Sequence, residues 1–170
     1  MTLPAPRTLN LLIFSFTVLL LGLALYMQHG MGLQPCYLCI TQRVMFIAVA
    51  VITLLAVLHN PGTAGTRVYG GLTLAAALGG AGFAVRQLWL QSLPPERVPA
   101  CGPPADYLFD AFPLRDALAM LLQGDGSCAE IDWSLLGLSL AGWALLAFAA
   151  IVVAALLQLA RVSQKSNSSV

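Results

Sequence analysis

Four cysteines carry the most legible chemistry in this 170-residue chain. Cys36 and Cys39 form a C-x-x-C pair, Cys101 and Cys128 stand apart, and Arg43 follows Cys39 by four positions. Such thiols can brace a fold, hold zinc or exchange electrons. A bond between Cys36 and Cys39 would close too small a ring to constrain much unfolded chain, so it is a poor brace. Cys101 and Cys128 are spaced to close a longer loop, which suits a structural bond. Zinc is disfavoured because the second pair lacks the C-x-x-C spacing of the first. Redox exchange fits Cys36 and Cys39 best. Cys39 falls in the first turn of an expected helix, where free N–H groups and the macrodipole favour a thiolate. Arg43 is on the same helix face, about 6 Å further along. An arginine near a helix end can simply snorkel to the interface. Its register with Cys39, however, sets a fixed cation beside a thiolate, where it would also polarise a carbonyl of an electron acceptor.

The elements that must position these residues are membrane spans. Hydrophobic residues make up 59% of the chain and charged residues 9%, against roughly 25% charged in a soluble domain. Mean hydropathy is +0.84. This composition excludes a soluble globular domain and a disordered chain, and a net charge of +1 offers no field for nucleic acid. Apolar runs at 9–27, 40–58, 68–85 and 138–160 each approach the roughly 20 residues that carry a helix across a bilayer. The expected architecture is an all-α membrane protein, a single domain over 1–170 built as a four-transmembrane-helix bundle. A short outer loop spans 28–39 and a long one 86–137.

Orientation follows from the basic residues. Arg7, Arg67, Arg161 and Lys165 flank the spans on one side, while the first outer loop has no Lys or Arg. The positive-inside rule therefore puts both termini in the cytoplasm. All seven acidic residues (Glu96, Asp106, Asp110, Asp116, Asp125, Glu130 and Asp132) fall in the long outer segment. Every cysteine then faces the outer, oxidising side, where an even number suggests two disulfides. No A-x-A cleavage site follows Met27, so the first span is expected to be retained rather than removed as a signal. Tyr26, Tyr37, Trp89, Trp133 and Trp143 fall near outer span ends, where amphipathic rings prefer to lie. Gly71, Ala75 and Gly79 repeat every fourth residue, a pattern expected to pack against a neighbouring helix. Residues 107–122 are too short and too charged to span and are expected to form an interfacial helix on the outer leaflet.

Electrons entering an outer disulfide from a soluble dithiol must leave again. No cysteine is available on the cytoplasmic side, His29 and His59 lie at opposite faces, and no G-x-G-x-x-G fingerprint points to a bound nucleotide. The acceptor that reaches Cys39 and Arg43 from the lipid is then a membrane-dissolved two-electron carrier, a quinone.

The stretch Gln34-Pro35-Cys36-Tyr37-Leu38-Cys39-Ile40, followed by Gln42-Arg43, resembles the first active-site motif of the disulfide bond formation protein B (DsbB) family. Ser127-Cys128-Ala129-Glu130, then Trp133, Leu136-Gly137-Leu138-Ser139 and Trp143, resembles the segment around that family's last cysteine. The resemblance covers the whole chain; Ala141 departs from a proline that the family often carries just before the equivalent of Trp143. It implies an inner-membrane thiol:quinone oxidoreductase that reoxidises a periplasmic DsbA-like partner and passes two electrons to ubiquinone or menaquinone. By the same resemblance Cys101 is the sulfur attacked by the partner, Cys128 exchanges with Cys36, and Cys39 becomes the thiolate that meets the quinone beside Arg43. Gln87 stands near the third-span position where some members carry a histidine close to the quinone. A DsbA-type dithiol is unusually oxidising, near −120 mV, so ordinary disulfides cannot reoxidise it without a pull from the quinone end. Two other readings compete. One is a non-catalytic four-helix scaffold with structural disulfides; the other is a quinone-linked reductase of the vitamin K epoxide reductase type, whose flanking motifs do not match.

Overall fold

The computed structural model describes residues 5–103, 107–108 and 112–167; Asp106, Asp110 and the Lys165 side chain lie outside the described residues. Among the described residues, four helices are long and apolar enough to cross a membrane: α1 (Pro6–Gly30), α2 (Tyr37–His59), α3 (Thr63–Gln91) and α5 (Leu140–Asn167). A short helix, α4 (Leu114–Gln123), lies between α3 and α5 in the chain. The long helices outrun the apolar runs of the sequence. A helix in lipid satisfies its own backbone, so it continues until a residue breaks it rather than until hydropathy fades. The breakers are visible. Pro35 precedes α2, Asn60 closes it in the left-handed region (φ 41°) with its N–H on Ala56 O, and Pro61 follows. Pro94 and Pro95 come after α3.

The helices pack in the order α1–α2–α3–α5, with α3 against α5 the most extensive contact and α2 against both α1 and α3. Helices α1 and α5 touch sparingly, which leaves a seam between them. The inner core is Ile13, Phe46, Val49, Ala77, Phe148 and Ile151. Phe46 and Phe148 stack with centroids 4.0 Å apart. That stack needs Gly80, where a Cβ would collide with the Phe148 ring. Small residues do therefore bring α3 to α5, but not the expected ones. Gly71, Ala75 and Gly79 are exposed; a Cβ on Gly71 would meet nothing within 4 Å, and one on Gly79 would touch Met45 Sδ at 3.6 Å. The buried face carries Gly70, Ala77, Gly80 and Ala84 instead. One residue of register turns a helix by about 100°, and α3 has small residues on more than one face, so spacing alone could not choose.

At the cysteine end of the bundle a second cluster gathers Tyr37, Leu38, Leu90, Leu108, Ala117, Leu121 and Cys128. Helix α4 belongs to it: Ala117 and Leu121 are buried, Thr41 Oγ1 donates to Leu121 O (3.1 Å), and Arg86 Nε donates to Gln123 O (2.7 Å). The opposite face, Leu114, Leu118 and Leu122, is exposed. Of the expected helix at 107–122, residues 107–108 are helical, the stretch 109–111 lies outside the described residues, and α4 begins after Pro113. Tyr37 corrects another expectation. It is buried rather than lying at an interface (3% exposed), because its ring fills this cluster. Before α5 the chain makes a two-stranded hairpin, β1 (Ser134–Leu135) and β2 (Leu138–Ser139). Leu136 and Gly137 turn it with positive φ at both positions, the geometry of a tight two-residue turn. Ser139 then starts α5 despite the missing proline at Ala141: its Oγ accepts from Gly142 N (3.4 Å) and donates to Gln91 Oε1 (2.8 Å).

Candidate active site

Helix α2 begins at the C-x-x-C pair. Cys36 is its N-cap, with extended backbone, and the Cys36 sulfur accepts from the Cys39 N–H at 3.3 Å. Cys39 thus lies in the first turn, as its spacing predicts. The two sulfurs are 2.8 Å apart, a contact rather than a bond, since a disulfide measures about 2.05 Å. All four cysteines are free in this structure.

Gln87, from α3, closes over the pair. Its Nε2 lies 3.4 Å from Cys36 Sγ and 3.3 Å from Cys39 Sγ, and its Oε1 accepts from Gln42 Nε2 at 2.7 Å. Both glutamines are buried. Gln42 was quoted in the sequence only as a neighbour of Arg43. Its position three residues after Cys39 is the signal that could have placed it on the same face. Arg43 points across to α1, where it donates to Gln28 Oε1 and, at 3.2 Å, to the Ala24 carbonyl. Its charge is thereby held in place by the neighbouring helix and not by direct bonding to a sulfur.

Cys128 is fully buried beside the N-terminus of α2, whereas Cys101 is exposed. The hydrogen bond with Cys128 is the main cause that pushes the Cys36 thiol well above the usual thiol range. The same bond pulls Cys128 down, against the opposing effect of burial. The four sulfurs divide into one that is exposed, one that is enclosed and a pair at the helix start.

Cys36, Cys39, Arg43 and Gln87 share one cavity of about 540 Å³. Its walls include apolar residues of α1 and α5, among them Phe16, Leu20, Ala144 and Ala147, together with Trp133, Leu135 and polar residues such as Gln42, Glu130 and Asp132. It lies at the seam that α1 and α5 leave between them. Among the described residues there is no cluster of three or more His, Cys, Asp or Glu arranged to hold a metal.

Comparison with known proteins gives this geometry a family. A family model described as disulfide bond formation protein DsbB matches residues 6–158. The chain belongs to the DsbB family. A disulfide bond formation protein B of Saccharophagus degradans is 51% identical over 150 residues, covering 88% of this chain and 90% of that protein. Proteins of the same name from Methylococcus capsulatus and an Azoarcus species are 50% and 51% identical, covering 93% and 88% of this chain and 96% and 90% of their own lengths. As a DsbB protein, the chain is a multi-pass membrane oxidoreductase of disulfide bond formation, of the class that reoxidises DsbA and works with quinones. The non-catalytic scaffold is not favoured.

Proposed function

We propose that this protein is a dithiol:quinone oxidoreductase of the bacterial inner membrane, with its cysteine end in the periplasm, both termini in the cytoplasm and residues 1–170 acting as one membrane domain. The observation that carries this reading is the cavity: apolar along α1 and α5, with Cys36, Cys39, Arg43 and Gln87 among its polar lining, which also includes Gln42, Glu130 and Asp132. A flat ring with two carbonyls on an apolar tail fits that distribution. Ubiquinone and menaquinone both have this form, and either, when bound, supplies an acceptor for two electrons and two protons.

The chain's own groups do the rest. A reduced periplasmic DsbA-like dithiol attacks Cys101, the exposed sulfur, and Cys128 leaves as thiolate. Cys128 attacks Cys36, the Cys36–Cys39 bond breaks, and Cys39 is released as a thiolate facing the cavity. Arg43, held from α1, sets a positive charge at the end of the cavity where negative charge develops. Gln87 orients the two sulfurs through its amide.

The test mixes purified protein with a reduced DsbA-type protein and a short-chain ubiquinone or menaquinone, and follows quinone absorbance. Oxidised quinone is consumed by the wild type and not by Cys36→Ser. Arg43→Ala raises the quinone KM or lowers turnover, each by about tenfold for a lost charge interaction near 1.4 kcal/mol. Unconsumed quinone, or a Cys36→Ser protein that matches the wild type, overturns the reading.

A further inference from the structure

The side chain of Asp125 binds the segment that carries Cys101 to the segment that carries Cys128. Asp125 is buried (8% exposed) although it is a carboxylate. Its Oδ2 accepts from the Gly102 N–H at 2.6 Å, immediately after Cys101. Its Oδ1 accepts from Ser127 Oγ at 2.5 Å and from Cys128 Sγ at 3.7 Å. One carboxylate therefore touches the backbone beside one loop cysteine and the sulfur of the other. Two further contacts reinforce the grip. Gly126 N donates to Ala100 O at 3.3 Å, and the Tyr37 hydroxyl donates to Pro103 O. The approach is close enough that a Cβ on Gly126 would collide with the Pro99 carbonyl oxygen.

This arrangement ties the backbone next to Cys101 to the Cys128 segment through contacts that do not involve an S–S bond. We propose that Asp125 is a positioning residue that keeps Cys101 within reach of Cys128 during the part of the cycle when their disulfide is open. The proposal rests on the relay described above, in which Cys128 is bonded to Cys36 while Cys101 is occupied by the partner. When the partner's second thiol frees Cys101, the Cys101 thiolate attacks Cys128 Sγ. The Cys101–Cys128 bond forms, the Cys36–Cys128 bond breaks, and Cys36 leaves as a thiolate. Two electrons stay on Cys36 and Cys39, and no external oxidant enters this step. Its rate depends on how often Cys101 meets Cys128. A fixed carboxylate anchor raises that local concentration.

The experiment quenches the purified full-length protein with a fast alkylating agent during turnover with a reduced DsbA-type protein, and maps the bonds by mass spectrometry. In Asp125→Ala the Cys36–Cys128 linked form, with Cys101 alkylated as a free thiol, rises about tenfold over the wild type. First attack of the partner on Cys101 is unchanged. Asp125→Asn keeps an oxygen to accept from Gly102 N and restores the wild-type level. Thermal unfolding in detergent, unchanged between Asp125→Ala and the wild type, separates this effect from loss of the fold. The proposal is overturned if Asp125→Ala shows the wild-type level of linked form, or if Asp125→Asn is as impaired as Asp125→Ala. The relay itself fails separately, if the wild type shows no Cys36–Cys128 bond at any time.

Discussion

A thiol that serves as leaving group in one exchange and nucleophile in the next must be stabilised as a thiolate without being exposed to other oxidants. Cys128 meets both demands, being buried and yet drawn down by the hydrogen bond from Cys36. The sign is checkable in a protein retaining only these two cysteines, with Cys39→Ser and Cys101→Ser. Thiolate absorbance from Cys128 appears at lower pH than for a free thiol. Adding Cys36→Ala moves its midpoint upward, since the donor is gone and burial is left to oppose the charge. An unmoved midpoint would assign the effect to the neighbouring backbone instead. Arg43 was readable at this scale as a misplaced charge, but its hydrogen bonds to Gln28 and Ala24 were not, because nothing local to α2 says which neighbour it meets.

Among the elements, α3 decides how closely the bundle closes on Phe148. Gly80→Ala places a methyl group against the ring and should destabilise the protein by about 1–3 kcal/mol, as overpacking commonly does. Gly71→Ala fills open space and should be neutral, or stabilising by up to about 1 kcal/mol through helix propensity. Denaturation of both variants in the same detergent compares them directly. If Gly71→Ala were the damaging one, the expected small-residue stripe would be the packing face after all. Helix α4 shows the same division of labour between sequence and contacts. Its length and charge identify a non-spanning helix, while its seating by Thr41 and Arg86 depends on residues far away in the chain.

For the whole molecule, the consequential feature is a contact that is barely made. Helices α1 and α5 meet sparingly, and the cavity beside the cysteines occupies that seam. Ala144 and Ala147 line it from α5 because their side chains are small. Ala144→Phe should raise the quinone KM by about tenfold or more, each 1.4 kcal/mol of lost binding being tenfold. Reduction of the loop cysteines by a DsbA-type dithiol in the absence of quinone should be unaffected. Equal loss of both reactions would mean that the substitution disturbs the bundle rather than the cavity.

Apolar runs, their lengths and the C-x-x-C spacing were sufficient for four spanning helices and for Cys39 in a first helical turn, because hydropathy and helix termini are local properties of the chain. The motifs around Cys36 and Cys128 were sufficient for the family. Register between helices, the burial of Tyr37, the closure of Gln87 and Gln42 over the sulfurs, and the grip of Asp125 on the Cys101 segment came only with the tertiary structure. Each joins residues separated by tens of positions. In a chain this apolar many faces satisfy the same pattern, and only the packed bundle chooses among them.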